Sequence, residues 1–123
     1  MIKYLLSAGD LSREQAIEIL DIAEGMADVN EREIKKLPTL RGKTVVNLFF
    51  EDSTRTRVSF ESGMAQMGGH AIFLSTKDSQ LGRGEPVEDS ARCISSMVDM
   101  VMIRTFAHAT VERFAEYSRV PVI

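Results

Sequence analysis

Between residues 11 and 27 apolar residues recur at helical spacing: Ala16, Ile19, Leu20, Ala23, Met26 and Ala27 fall on one side of a 3.6-residue turn. Ser12 with Gln15 three residues on has the form of a capping box, in which each side chain satisfies a free amide at the helix start. Gly25 weakens the far end by about 1 kcal/mol relative to alanine. The polar stretch 30–36 prolongs the helical segment, and Pro38 stops it.

From residue 41 the period switches back and forth. After the turn signal Arg41-Gly42, residues 43–50 are rich in β-branched and aromatic side chains and predict a strand. Residues 54–67 read as a helix, closed by Gly68-Gly69, a pair able to take the left-handed conformation that ends helices. Residues 71–74 form a short apolar strand, and a polar, glycine-containing loop runs over 75–85. Pro86 suits the first turn of a helix whose buried face is marked by Val87, Ala91, Ile94 and Met97. A strand at 100–103, a helix at 110–117 and the start of a fourth strand at 120–123 complete the alternation. Helices between near-continuous apolar strands imply parallel pairing with right-handed crossovers. The predicted class is α/β, a parallel sheet flanked by helices and incomplete at the C-terminus, where a strand ends with nothing to cover it. Residues 1–40 form a helical lead-in and residues 41–123 the alternating part. In such sheets ligands bind beyond the carboxyl ends of the strands.

Composition narrows the partners. The 123 residues are 44% apolar, enough for one core. Fifteen basic and eighteen acidic residues give a net charge of -3, which speaks against a nucleic-acid or membrane-surface partner. One cysteine, Cys93, allows no intramolecular disulfide; beside Ile94 it reads as a packed side chain. The first residues are too short an apolar stretch for a signal peptide, and no later run spans a bilayer, so a cytoplasmic protein is expected. His70 and His108 stand far apart in the sequence, so no metal is expected. Met64, Met67, Met97, Met100 and Met102 read as core fillers, and Glu88 and Asp89 as favourable charges at a helix start.

Chemistry concentrates in Phe49-Phe-Glu-Asp-Ser-Thr-Arg-Thr-Arg57, where the first long strand hands over to a helix. The first amides of a helix lack internal partners, and the helix dipole adds positive charge there. Ser53, Thr54 and Thr56 add hydroxyls, and Arg55 adds a planar fork matched to phosphate oxygens. Together these make a dianion site that needs no metal. Ser53 as a plain helix cap, with Arg55 and Arg57 in solvent, is the competing reading. Two arginines in the first turn oppose the dipole, however, and a bound anion accounts for them. Arg104 ends its strand at the same sheet edge, and Gln80 lies in a turn made by Gly82 and Gly84. On pattern alone both are ordinary surface residues. No Walker A motif or Gly-x-Gly-x-x-Gly is present.

The run Phe49-x-Glu51-x-Ser53-Thr-Arg-Thr56 resembles the signature of the aspartate and ornithine carbamoyltransferases. Gln80-Leu-Gly-Arg-Gly-Glu-Pro86 is similar to the loop of the ornithine type, where the aspartate type carries a lysine. Asp89-Ser-Ala-Arg, Met97-Val-Asp-Met-Val-Met-Ile-Arg104 and Val120-Pro-Val-Ile123 follow the ornithine type too. The resemblance covers most of the chain from Gly42 onward. It implies that an amine attacks the carbonyl carbon of carbamoyl phosphate and phosphate leaves. Ser53, Thr54, Arg55 and Thr56 would hold the phosphate, with Thr56 also near the carbamoyl oxygen. Arg104 would hydrogen-bond phosphate and carbonyl oxygen and, with Arg55, serve as a catalytic residue. Gln80 would reach a neighbour's site in a homotrimer or a multiple of trimers, with Arg83 helping to attract the anion.

The resemblance also implies L-ornithine as acceptor, L-citrulline as product, a place in arginine biosynthesis or breakdown, and no cofactor. It calls for a His-Pro-x-Gln segment and a second, amino-acid-binding domain, neither of which these 123 residues contain. The chain alone is therefore expected to be inactive. Two further readings stand beside this one: another acceptor (aspartate, putrescine or an acylated ornithine), or a phosphate-binding regulatory module without chemistry.

Overall fold

The structure is a computed structural model and describes residues 3–123. Seven regular elements follow one another: α1 (Arg13–Met26), β1 (Thr44–Phe49), α2 (Thr54–Gln66), β2 (His70–Ser75), α3 (Val87–Ser95), β3 (Met100–Arg104) and α4 (His108–Tyr117). The three strands form a parallel sheet in the order β2-β1-β3, so the α/β expectation holds. In register, Phe49 lies opposite Ser75 on one side and Arg104 on the other, which levels the carboxyl ends of all three strands.

Alternation along β1 divides the interior in two. Val46 and Leu48, with Val101 and Ile103 of β3, face Ala91 of α3 and Phe114 and Ala115 of α4. Leu48, Val101 and Phe114 are fully buried there. Burying each such side chain stabilises by roughly 1.5–3 kcal/mol, which makes this layer the main source of stability. The other face carries Val45, Asn47 and Phe49 toward α2, and Met64 of α2 is buried against it. Asn47 is an anomaly: it is wholly buried, and neither amide atom has a hydrogen-bond partner among the described residues.

The fourth strand appears as a single parallel bridge from Val122 to Val101, held by Ile103 N–H donating to Ile123 O at 2.8 Å and Ile123 N–H to Val101 O at 3.0 Å. Val122 also bridges Tyr4, a pairing the sequence pattern did not suggest. The Ser12–Gln15 capping box forms as predicted, and Gly68 takes a φ of 80° past α2.

Three expectations are corrected. Met97 is 70% exposed, because α3 ends at Ser95 and the chain turns away before the next helical position can reach the core. Cys93 is exposed, lying on the outer side of α3 while Ala91 faces inward. Residues 30–36 do not prolong a helix; a short 3-10 turn, Ala27–Glu31, follows α1 and the chain then runs irregularly to Pro38. None of α1 is buried, and Ile19 and Leu20 of its apolar stripe stand in the open.

Candidate functional site

Ser53 is the N-cap of α2. Its hydroxyl donates to Thr56 Oγ1 at 3.0 Å and accepts from the Thr56 amide at 3.4 Å. The amide of Arg57 closes the first helical bond on Ser53 O at 3.1 Å. Among the described residues this leaves the amides of Thr54 and Arg55 unpaired at the helix mouth, in the field of the dipole. Ser53 therefore does cap the helix, and capping is what turns those two amides outward. The cap and the free amides are one arrangement.

Beside this turn lies an open recess of about 310 Å³, lined by Phe49, Asp52, Ser53, Thr54, Arg57 and Phe73. Arg55 is exposed and, among the described residues, has no ion-pair partner. The other cations near the turn are matched: Arg57 to Glu61 at 3.0 Å, Lys77 to Asp52 at 3.8 Å, and Arg104 to Glu51 at 3.2 Å. Arg55 is thus the unmatched positive charge at the helix mouth.

Arg104 closes β3 on the same side of the sheet as Phe49, its register partner, and Phe50 N–H donates to Arg104 O at 2.8 Å. Its Nε is buried and makes no hydrogen bond among the described residues, although Glu51 Oε1 lies within ion-pair distance. The two facts agree once direction is considered: charge attraction tolerates a misaligned N–H, whereas a hydrogen bond does not. A buried donor left unmade costs about 1–3 kcal/mol.

Gln80 sits apart. It opens a 3-10 turn, Gln80–Arg83, and makes no hydrogen bond to the Ser53–Thr56 turn among the described residues. The loop is far from the loose turn that its glycines suggest. Leu81 packs against the core, Glu85 N–H donates to Gln80 O at 3.0 Å, and Gly84 takes a φ of 90°. Gly82 touches Thr76 so closely that a β-carbon there would lie 1.6 Å from the Thr76 carbonyl oxygen. The structure thus gathers Ser53, Thr54, Arg55, Thr56 and Arg104 at one sheet edge and holds Gln80 on a separate, closely packed turn.

Sequence reasoning missed three participants. Glu51 and Asp52 were motif letters and turn out to be counter-ions. Phe73 was a strand residue and proves to be the platform under the Arg57 guanidinium, 3.6 Å from its ring centre. Arg57 therefore has local reasons for its place, which leaves Arg55 as the one uncompensated arginine of the first turn among the described residues. Among the described residues no three His, Cys, Asp or Glu side chains converge as metal ligands, and no helix is long and apolar enough to cross a membrane.

A parallel α/β sheet with a capped, cationic strand-to-helix turn beyond its carboxyl edge defines an anion-binding domain. Residues 3–123 match the family described as aspartate/ornithine carbamoyltransferase, carbamoyl-P binding domain. An ornithine carbamoyltransferase of Helicobacter hepaticus is 51% identical over 122 residues, covering 99% of this chain and 37% of that protein. One from a Psychrobacter species is 70% identical over 82 residues, 67% of this chain and 27% of that protein. The structure of ornithine carbamoyltransferase from Burkholderia thailandensis superposes with a TM-score of 0.87 at 49% identity, over 99% of this chain and 42% of that one. The catalytic subunit of M. jannaschii aspartate transcarbamoylase also superposes with a TM-score of 0.87, at 36% identity over 98% of this chain and 40% of that one. The chain belongs to the aspartate/ornithine carbamoyltransferase family and corresponds to its carbamoyl-phosphate-binding domain. It spans about two-fifths of the length of these relatives.

Proposed function

We propose that this chain is the carbamoyl-phosphate-holding part of an ornithine carbamoyltransferase of arginine metabolism. The observation that carries the reading is the α2 mouth, where two free amides and the paired Ser53 and Thr56 hydroxyls stand beside a recess lined by Ser53, Thr54 and Arg57, with the exposed, unmatched Arg55 in the same first turn. The amides of Thr54 and Arg55, with the Arg55 guanidinium, suit the phosphate oxygens. Arg104 suits the carbamoyl oxygen, where negative charge grows as the tetrahedral intermediate forms. The amine of the acceptor bonds to the carbonyl carbon, the bond from that carbon to the phosphate oxygen breaks, and phosphate departs with the bonding pair. The proton lost by the amine leaves to the departing phosphate or to solvent.

Ornithine as acceptor rests on the names of relatives up to 70% identical and on the Gln80-Leu-Gly-Arg loop. A relative named for aspartate superposes as well, at 36% identity against 49% for the Burkholderia thailandensis ornithine enzyme. Ornithine binding and turnover fall to parts of the protein beyond residues 41–123, which hold the anion site. The 123 residues alone bind carbamoyl phosphate without consuming it. In the intact enzyme Gln80 serves a neighbouring subunit's site, within a cytoplasmic homotrimer.

Titration calorimetry tests the reading. Carbamoyl phosphate or inorganic phosphate should bind the chain, and Arg55→Ala should abolish most of the heat. Unchanged affinity in Arg55→Ala rejects the assignment. For the trimer, mixing Arg55→Ala and Gln80→Ala forms of the intact enzyme should restore activity at hybrid sites, and no recovery rejects the shared site.

A further inference from the structure

Arg57 joins the start of α2 to the outer strand of the sheet. Its Nε donates to Glu61 one turn on, at 3.0 Å, and its guanidinium lies flat enough over Phe73 for the carbon to sit 3.6 Å from the ring centre. Phe73 in turn meets Phe49 edge to face, at 5.3 Å and 65°. Phe49 is the register partner of Arg104. A line of side chains therefore runs from the helix carrying Ser53–Thr56, through the edge strand, to Phe49, whose backbone pairs with the strand end carrying Arg104.

Strand β2 depends on such a link. It pairs with β1 on one side only, and His70 and Ile72 are exposed. The turn of Gln80 is built on the end of this strand. Thr76 N–H donates to Phe49 O at 3.2 Å, and Gly82 rests directly on Thr76. Gln80 is thus seated through Thr76 on the end of β2, a strand held by its ladder to β1 and tied to α2 by the Arg57–Phe73 stack.

Two roles compete for Arg57: a second cation for the anion, or a link that sets spacing. Its charge is matched by Glu61, its Nε is occupied, and one face of its plane is covered by Phe73. We propose that Arg57 is a positioning residue, which through Phe73 sets the distance between the anion-binding mouth of α2 and the turn that carries Gln80. The proposal rests on the anion site described under Proposed function.

The test compares Arg57→Lys, Phe73→Leu, the double variant and Phe73→Tyr. Lysine keeps the charge and loses the planar, stacking fork. Inorganic phosphate is the calorimetric probe, and amide hydrogen exchange at Thr76 and Gly82 reports the seat of the loop. Arg57→Lys and Phe73→Leu should each weaken phosphate binding by about 2–5-fold, the usual size of an exposed cation–π contact. The double variant should be no weaker than either single one, and Phe73→Tyr should bind normally. Thr76 and Gly82 should exchange faster in the weakened variants while Val101, in the core, holds its rate. Arg57→Lys weakened with Phe73→Leu at full affinity overturns the proposal and makes Arg57 a direct ligand. Unchanged exchange at Thr76 in both single variants also overturns it. If the unaltered chain takes up no phosphate, the anion reading fails separately, and the exchange result alone decides the role of Arg57.

Discussion

Arg104 Nε lies 3.2 Å from Glu51 Oε1, so the strand-end arginine is held beside the α2 turn by a carboxylate of the same motif. The glutamate lies two residues before the N-cap Ser53 and the arginine closes a different strand; only sheet pairing brings them together. Glu51 is 23% exposed at its side chain against 41% for Arg104, so the carboxylate anchors and the guanidinium keeps an open side. Arg104→Ala should weaken phosphate binding by about 10–100-fold, the range of a charge-assisted hydrogen bond. Equal affinity in calorimetry would remove Arg104 from the site.

The turn bearing Gln80 has no room at Gly82. Gly82→Ala places a methyl group against backbone rather than against a movable side chain, and the loop must shift. A loss of about 1–3 kcal/mol is expected, the cost of overpacking. Urea unfolding measures the loss, and limited proteolysis should show cleavage near residues 76–85 that the unaltered chain resists. Full stability with an intact loop contradicts the packing described.

Leu48 is fully exposed to its neighbours and not at all to water, at the centre of the layer beneath α3 and α4. Leu48→Ala should cost about 2–5 kcal/mol, through lost burial and the cavity left behind. The same substitution at Leu20, 67% exposed on α1, should stay within about 0.5 kcal/mol in this chain. Equal losses at the two positions would show that α1 is packed in solution.

Asn47 carries two amide atoms into an apolar layer without a hydrogen bond among the described residues. Asn47→Leu removes that cost and keeps a similar volume. A gain of about 1–3 kcal/mol is expected in chemical denaturation. A loss instead identifies the amide as bonded to an enclosed water.

Much of the architecture is local in origin and was readable as such. The Ser12 capping box, the strand over 44–49 and the α2 start at Ser53 depend on residues within a few positions of one another. A strand-to-helix turn bearing hydroxyls and an arginine points to an anion before any packing is known, because helix amides and the dipole belong to the helix itself. Boundaries moved by one or two residues, as at α4, which begins at His108 rather than at Thr110.

Other features depend on what lies across the fold. Periodicity marks Met97 and the α1 stripe as apolar, yet burial needs a covering surface, and no residue of either is buried among the described residues. The partners of the arginines were hidden for a related reason. Glu61 is one turn from Arg57, but Phe73 reaches it only because β2 pairs beside β1, and Arg104 reaches Glu51 only because β3 pairs on the other side. Short-range pattern settles which chain segments form strands and helices and where an anion can sit. Which cations remain unmatched for that anion follows from strand order, since charges cancel through space and not along the chain.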